Sequence, residues 1–281
     1  MRFRVVDIET VPDLTVWTPG ETRWKLVPGN HCENPLPWEL TREFEARVVP
    51  DEPFPPPQAH RVVAIAYVDI AMDFDKSPRY RWTGGMSACQ WVVDDNLVNA
   101  NSIERSLLGA FSASMAEAGE QVDLVTWNGR GFDLPVLSMR SLKLGVPFGW
   151  YYSNRDMRYR FSENGHLDLM DYLGDYGSAR NMKLDDAAHL IGLPGKADMT
   201  GASVRSVYES TFKEPATAPE KMSSVGRYCL QDAIQTALIF LRTRFHFGKI
   251  DREEYNRCLN TFAQSDFIRN AIDIKWEAIQ L

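Results

Sequence analysis

The sequence is poor in cysteine. Cys32, Cys89, Cys229 and Cys258 lie far apart in its 281 residues with no CxxC pair, so neither a zinc ribbon nor a disulfide scaffold is suggested, and reduced thiols are expected. Long apolar runs are also missing. The longest uncharged apolar stretch is the seven residues Val62 to Val68, against the roughly 20 that a bilayer-spanning helix needs, so no membrane partner is expected. The opening Met1-Arg2-Phe3-Arg4-Val5-Val6-Asp7 sets an acid where a signal peptide would be apolar and reads as a strand, which gives a cytoplasmic expectation. There is no excess of positive charge either. Thirty-one Lys and Arg against 38 Asp and Glu give −7, which disfavours coating of nucleic acid through global charge and leaves room for a local basic groove.

What is present is an ordinary globular composition, 44% apolar and 25% charged, which argues against a disordered, collagenous or coiled-coil chain. Residues 2–9 and 61–69 are β-branched and apolar, and Arg79 to Thr83 alternate before Gly84-Gly85, so three strands are expected in an antiparallel opening. Ile103, Leu107, Leu108, Phe111 and Met115 fall at helical spacing behind Ser102, which is the expected N-cap. A strand over 122–127 and a helix over 134–144 ending at Gly145 follow. Helices are predicted at 182–191, 200–210, 221–245 and 252–264. The fold class is therefore α/β, a mixed central sheet flanked by helices with a helical C-terminal part, and residues 1–281 are read as a single domain.

Between the first two strands, residues 11–60 form a Pro/Trp-rich insertion. Ten of the 16 prolines fall between Pro12 and Pro57, with Trp17, Trp24 and Trp38. An insertion of this length either serves as a lid or groove, or packs as a satellite cluster on the domain.

Asp7 and Glu9 are one residue apart in an apolar strand, so the period of two points both carboxylates to one side of the sheet. Like charges so placed raise each other's pKa and favour a hard divalent cation, whose preferred ligands are oxygens; a solvated strand end followed by a turn at Thr10 is the plain alternative. Asn128-Gly129-Arg130-Gly131-Phe132-Asp133 follows a predicted strand and precedes a predicted helix, a position that ligand sites favour. Tyr228 and Asp232 stand at i and i+4 of a long amphipathic helix and share a face.

In this order the three pieces resemble the 3′–5′ exonucleases of ribonuclease H-like fold whose four acids bind two metals, in the subgroup that uses tyrosine (DEDDy). The residue five before the last acid, where the histidine subgroup has its histidine, is Arg227, and Tyr228 sits at the tyrosine spacing. More narrowly, His166-Leu167-Asp168-Leu169-Met170-Asp171 and Gly192-Leu193-Pro194-Gly195-Lys196-Ala197-Asp198-Met199 are similar to the predicted exonucleases related to the proofreading domain of family B DNA polymerases. No polymerase region fits in the residues after Asp232, so a free-standing nuclease is expected.

The resemblance implies a hydrolase in which Asp7, Glu9, Asp133, Tyr228 and Asp232 are catalytic. It implies one metal on Asp7, Glu9 and Asp232 and a second on Asp7 and Asp133, the pair being magnesium or manganese, and a Tyr228 hydroxyl that orients the attacking water. It also implies release of nucleoside 5′-monophosphates from single-stranded 3′ ends, DNA ahead of RNA. Thr10 is a substrate-contact candidate or a turn residue, Asn128 and Phe132 are substrate-facing or structural, and Asp168 is a helix cap or a fifth acid. Arg155, Arg158, Arg160, Arg180 and Lys183, interleaved with Tyr151, Tyr152, Tyr159 and Phe161, suit a phosphate-gripping, base-stacking surface or a solvated loop. His189 is expected to pack on its helix. An RNA-trimming exoribonuclease and a catalytically silent nucleic-acid-binding scaffold remain as rival readings, and no protein partner is indicated.

Overall fold

The long strand β1, Arg2–Pro12, alternates its faces with a period of two. Phe3 and Val5 join one hydrophobic core, and Val6 and Ile8 join the other. The computed structural model describes residues 1–17, 54–91, 97–118, 122–162, 164–195 and 199–281. Most of the expected insertion, with Trp24, Trp38 and Cys32, lies outside the described residues, as do Lys196 and Asp198.

Among the described residues, β1, β2 (His60–Met72), β3 (Tyr80–Cys89), β4 (Val122–Thr126) and β5 (His166–Asp168) form one sheet in the order β3-β2-β1-β4-β5. β1 to β3 are antiparallel as expected, whereas β1, β4 and β5 run parallel. This mixed sheet flanked by helices is the ribonuclease H-like arrangement. β3 continues through Gly84 and Gly85 instead of ending before them. A Cβ on Gly85 would lie 2.7 Å from the Phe267 ring, so the glycine lets that ring pack on the strand.

The helices follow as α1 (Leu97–Ala118), α2 (Asp133–Leu144), the single turns α3 (Gly149–Tyr152) and α4 (Arg155–Arg158), α5 (Leu169–Leu173), α6 (Leu184–Leu190), α7 (Gly201–Lys213), α8 (Ala218–His246), α9 (Arg252–Ala263) and α10 (Asp266–Ala271). Gly145 closes α2 at φ 66°, as its sequence position suggests. Ser102 is not an N-cap: α1 begins five residues earlier at Leu97, and Ala100 is already buried against the core, so packing outweighs the local capping signal. α1 and α2 cover the Val6–Ile8 face through Leu107, Leu108, Phe111, Leu134 and Leu137. α8 covers the Phe3–Val5 face through residues such as Ala233, Ala237 and Phe240. Asp7 and Glu9 continue the Phe3–Val5 register and therefore turn towards α8. Among the described residues no helix is long and apolar enough to cross a membrane.

Candidate active site

The carboxyl ends of the parallel strands β1, β4 and β5 meet at one edge of the sheet, where open α/β sheets place their ligands. β1 does not end at Glu9. It runs on to Pro12 with a bulge between Glu9 and Thr10, a device that re-aims side chains beside active sites. Thr10 thus lies in the strand and initiates no turn; its hydroxyl is 3.0 Å from Nδ1 of His60.

α8 is set against β1 by close contacts. A Cβ on Gly226 would lie 3.2 Å from Cys89 Sγ and from Ser87 Oγ, while Ser87 Oγ donates to the Gly226 carbonyl at 2.6 Å. One turn on, the Cys229 thiol donates to the Asp7 carbonyl at 3.3 Å. With that register fixed, Asp232 reaches the strand pair, and Asp7, Glu9 and Asp232 offer oxygens that all lie within 4.8 Å of one another. Tyr228 lies one turn before Asp232 on α8, buried at 3% exposure.

Asp133 stands outside this trio but beside it, because its carboxylate accepts a hydrogen bond from the Ile8 backbone between Asp7 and Glu9. Burial raises its pKa; backbone hydrogen bonds resist the rise, and the charges of Asp168 and Asp232 add to it. The Cys229 thiol is raised well above its ordinary value by burial and then by Asp7 and Glu9, so it stays protonated and the donors here are carboxylate oxygens.

The turn that delivers Asp133 is held from below. Asn128 adopts φ 63°, and its N–H and that of Arg130 each donate to Asp168 at 2.9 Å. Asp168 also accepts from Asp171 N–H as the N-cap of α5, so it is a cap and a brace for the turn. The Arg130 guanidinium donates to the His166 carbonyl at 2.8 Å, and Trp127 Nε1 donates to the Met182 carbonyl at 3.2 Å.

A cleft of about 540 Å³ opens over the site, lined by Asp7, Asp232, Asn128, Trp127, Lys183 and Asp185 among others. Lys183 entered the sequence reading only within a group of basic residues; its place in the cleft comes from the loop before α6, which carries no motif. Of that group, Arg160 is committed to Asp171 at 2.6 Å, and Arg158 stacks over Tyr152 at 5.0 Å. Tyr152, Tyr159 and Phe161 are half exposed. His189 does not pack: its side chain is exposed and Nε2 lies 3.0 Å from the Pro194 carbonyl.

Comparison with known proteins adds the following. The family model for predicted 3′–5′ exonucleases related to the exonuclease domain of PolB matches residues 52–274. No curated protein matches. Among solved structures, the family B DNA polymerase of the hyperthermophilic archaeon Pyrobaculum calidifontis is similar at 17% identity and a TM-score of 0.49, over 94% of this chain and 29% of that one. Exonuclease I of E. coli in complex with a dT13 oligonucleotide is similar at 15% identity and a TM-score of 0.36, over 78% of this chain and 42% of that one. The same enzyme with a dA16 oligonucleotide gives 14% and 0.36, over 82% and 45%. The chain thus spans less than half the length of each. The family match contains Asp133, Tyr228 and Asp232, while Asp7 and Glu9 precede it and are joined to it by the geometry of β1 against α8. With most of its length matched, the chain belongs to the family of predicted 3′–5′ exonucleases related to the exonuclease domain of PolB.

Proposed function

We propose that the protein is a metal-dependent 3′–5′ exonuclease that shortens single-stranded DNA from its 3′ end and releases nucleoside 5′-monophosphates. The observation that carries this reading is the meeting of Asp7, Glu9 and Asp232 within 4.8 Å, from a strand and a helix more than 200 residues apart in sequence. Three mutually repelling carboxylates at a cleft fit a hard divalent cation, because such ions prefer oxygen donors and relieve the repulsion. Asp7, Glu9 and Asp232 would hold one ion, and Asp7 with Asp133 a second, magnesium or manganese in each case. Bound there, the pair supplies stabilisation of both the attacking and the leaving oxygen of an in-line displacement at phosphorus.

The chain's own residues do the rest. Tyr228, whose phenol has an ordinary pKa of about 10, stays protonated at neutral pH and orients the attacking water by hydrogen bonding rather than deprotonating it. Asp168 keeps the 128–131 turn in place so that Asp133 stays beside Ile8. Lys183 and Asn128 in the cleft, with Thr10 and Phe132 beside the carboxylates, hold the terminal nucleotide, and Arg155, Arg158 and Arg180 follow the strand beyond it without reading sequence. DNA is placed before RNA because the family is defined by relation to a DNA polymerase domain.

The test is to incubate 5′-labelled DNA and RNA strands of one sequence with the protein in magnesium, manganese or chelator, beside Asp7→Ala. A metal-dependent ladder, stronger on DNA and missing in the variant, is expected. A stronger RNA ladder would make the enzyme an RNA trimmer, and intact strands with retained binding would make it a scaffold.

A further inference from the structure

Thr10 follows Glu9 in the chain and Phe132 precedes Asp133, so whatever touches these two residues lies one peptide bond from a carboxylate of the site. Both touch His60. Its Nδ1 is 3.0 Å from the Thr10 hydroxyl, and its ring meets Phe132 edge-on with centroids 4.9 Å apart. Phe54 completes a trio, 4.8 Å from the His60 ring and 5.8 Å from that of Phe132. His60 is 4% exposed, whereas Phe54 is 75% exposed. A phenylalanine held by two other rings yet left open to solvent is an unusual use of apolar surface, and it offers a flat stacking face.

The hydrogen bonds of His60 fix how this surface is presented. Nε2 faces the Pro55 carbonyl at 2.8 Å, and a carbonyl only accepts, so Nε2 carries the proton. Burial lowers the His60 pKa, against the pull of the Pro55 carbonyl, so the ring is neutral and Nδ1 accepts from the Thr10 hydroxyl. The residue next to Phe54 and the residue next to Glu9 are thereby tied to one imidazole. The Thr10 oxygen, its proton committed to His60, meets a substrate only as an acceptor.

We propose that Phe54, His60 and Phe132 form the seat of the 3′-terminal nucleobase, with the Phe54 ring as stacking face and His60 as the positioning residue that holds it beside Glu9 and Thr10. The seat rests on the exonuclease reading above for its occupant. Stacking on an aromatic face tolerates every base, which a nuclease meeting a new terminus after each cut requires.

The experiment uses an oligothymidylate ending in 3′-terminal 2-aminopurine, whose fluorescence falls when the base stacks, bound in calcium, together with steady-state cleavage in magnesium of strands with a normal or an abasic 3′ end. Wild type is expected to quench the probe. Phe54→Ala abolishes the quenching and raises KM for the normal end about tenfold or more, with a smaller effect on kcat, and leaves KM for the abasic end unmoved. Phe54→Trp restores both readouts, and His60→Phe, which keeps a ring but loses both hydrogen bonds, weakens quenching. Because Phe54 is exposed, its variants keep the wild-type melting temperature. Quenching and KM that ignore Phe54 while strands are still cut would overturn the seat alone. Phe54-dependent quenching with no cleavage in any metal would keep the seat and overturn the exonuclease. No binding by wild type would overturn both.

Discussion

β1 and α2 each contribute to two groups of buried carboxylates, and the two groups are opposites. At one end stand Asp7 and Glu9 of β1 with Asp133 of α2 and Asp232 of α8. At the other, Asp13 just beyond β1 meets Arg140 seven residues into α2 at 2.8 Å and Lys143 at 2.6 Å. Arg140 also grips Glu104 of α1 at 2.5 Å, and Arg61 approaches both acids at 3.5 and 3.6 Å. Burial alone would raise Asp13, but hydrogen bonds from Lys143, Thr15 and Arg140 outweigh it and hold the carboxyl well below the usual range. Asp133, from the same two elements, moves the other way. The chain therefore neutralises its structural acids with its own cations, and at the cleft it gathers acids whose mutual repulsion an external cation relieves.

The comparison breaks most severely at Arg140. Its side chain is wholly buried, so Arg140→Met leaves two carboxylates underground without their main partner and is expected to cost about 3–5 kcal/mol in urea unfolding. A loss below about 1 kcal/mol would mean that the network carries no structural load. At the cleft the same kind of deletion should act in the opposite sense. Asp232→Asn removes one of three repelling charges, so the metal-free protein should melt at or above wild type. Wild type should then gain about 2.7 kcal/mol at a magnesium concentration a hundred times its Kd, and the variant much less. A metal-free melt below wild type would place Asp232 with Asp13 as a structural acid.

The sequence made one of these groups readable and hid the other. Asp7-x-Glu9, Asp133 after its turn and Tyr228 four before Asp232 are short-range patterns with few structural uses, and each sits on an element whose periodicity shows in the chain. The face that each strand residue takes followed from the period of two, and α8 came from its apolar spacing. Asp13, Arg61, Glu104 and Arg140 form no local pattern, and charged residues are by default surface residues, so only the packed chain shows that they meet. The same holds for Phe54, His60 and Phe132, whose contacts span up to 78 residues. Asp168 was legible as a cap, but its second task, bracing Asn128 and Arg130 across 40 and 38 residues, depends on β4 and β5 lying side by side.

Tyr228 supplies the finest test of the contrast, because it carries no charge into the acidic group. If its hydroxyl only orients water, Tyr228→Phe keeps the buried ring in place on α8 and removes one hydrogen bond. The expected outcome is a kcat about tenfold lower, worth about 1.4 kcal/mol, with KM for the strand, magnesium dependence and melting temperature unchanged. Asp7→Ala, which removes a ligand, should instead cost orders of magnitude and abolish the magnesium-induced rise in melting temperature. Measured side by side, the two variants separate the residue that aligns the nucleophile from those that hold the cations. A Tyr228→Phe loss as deep as that of Asp7→Ala would move the phenol from orientation into the chemistry itself.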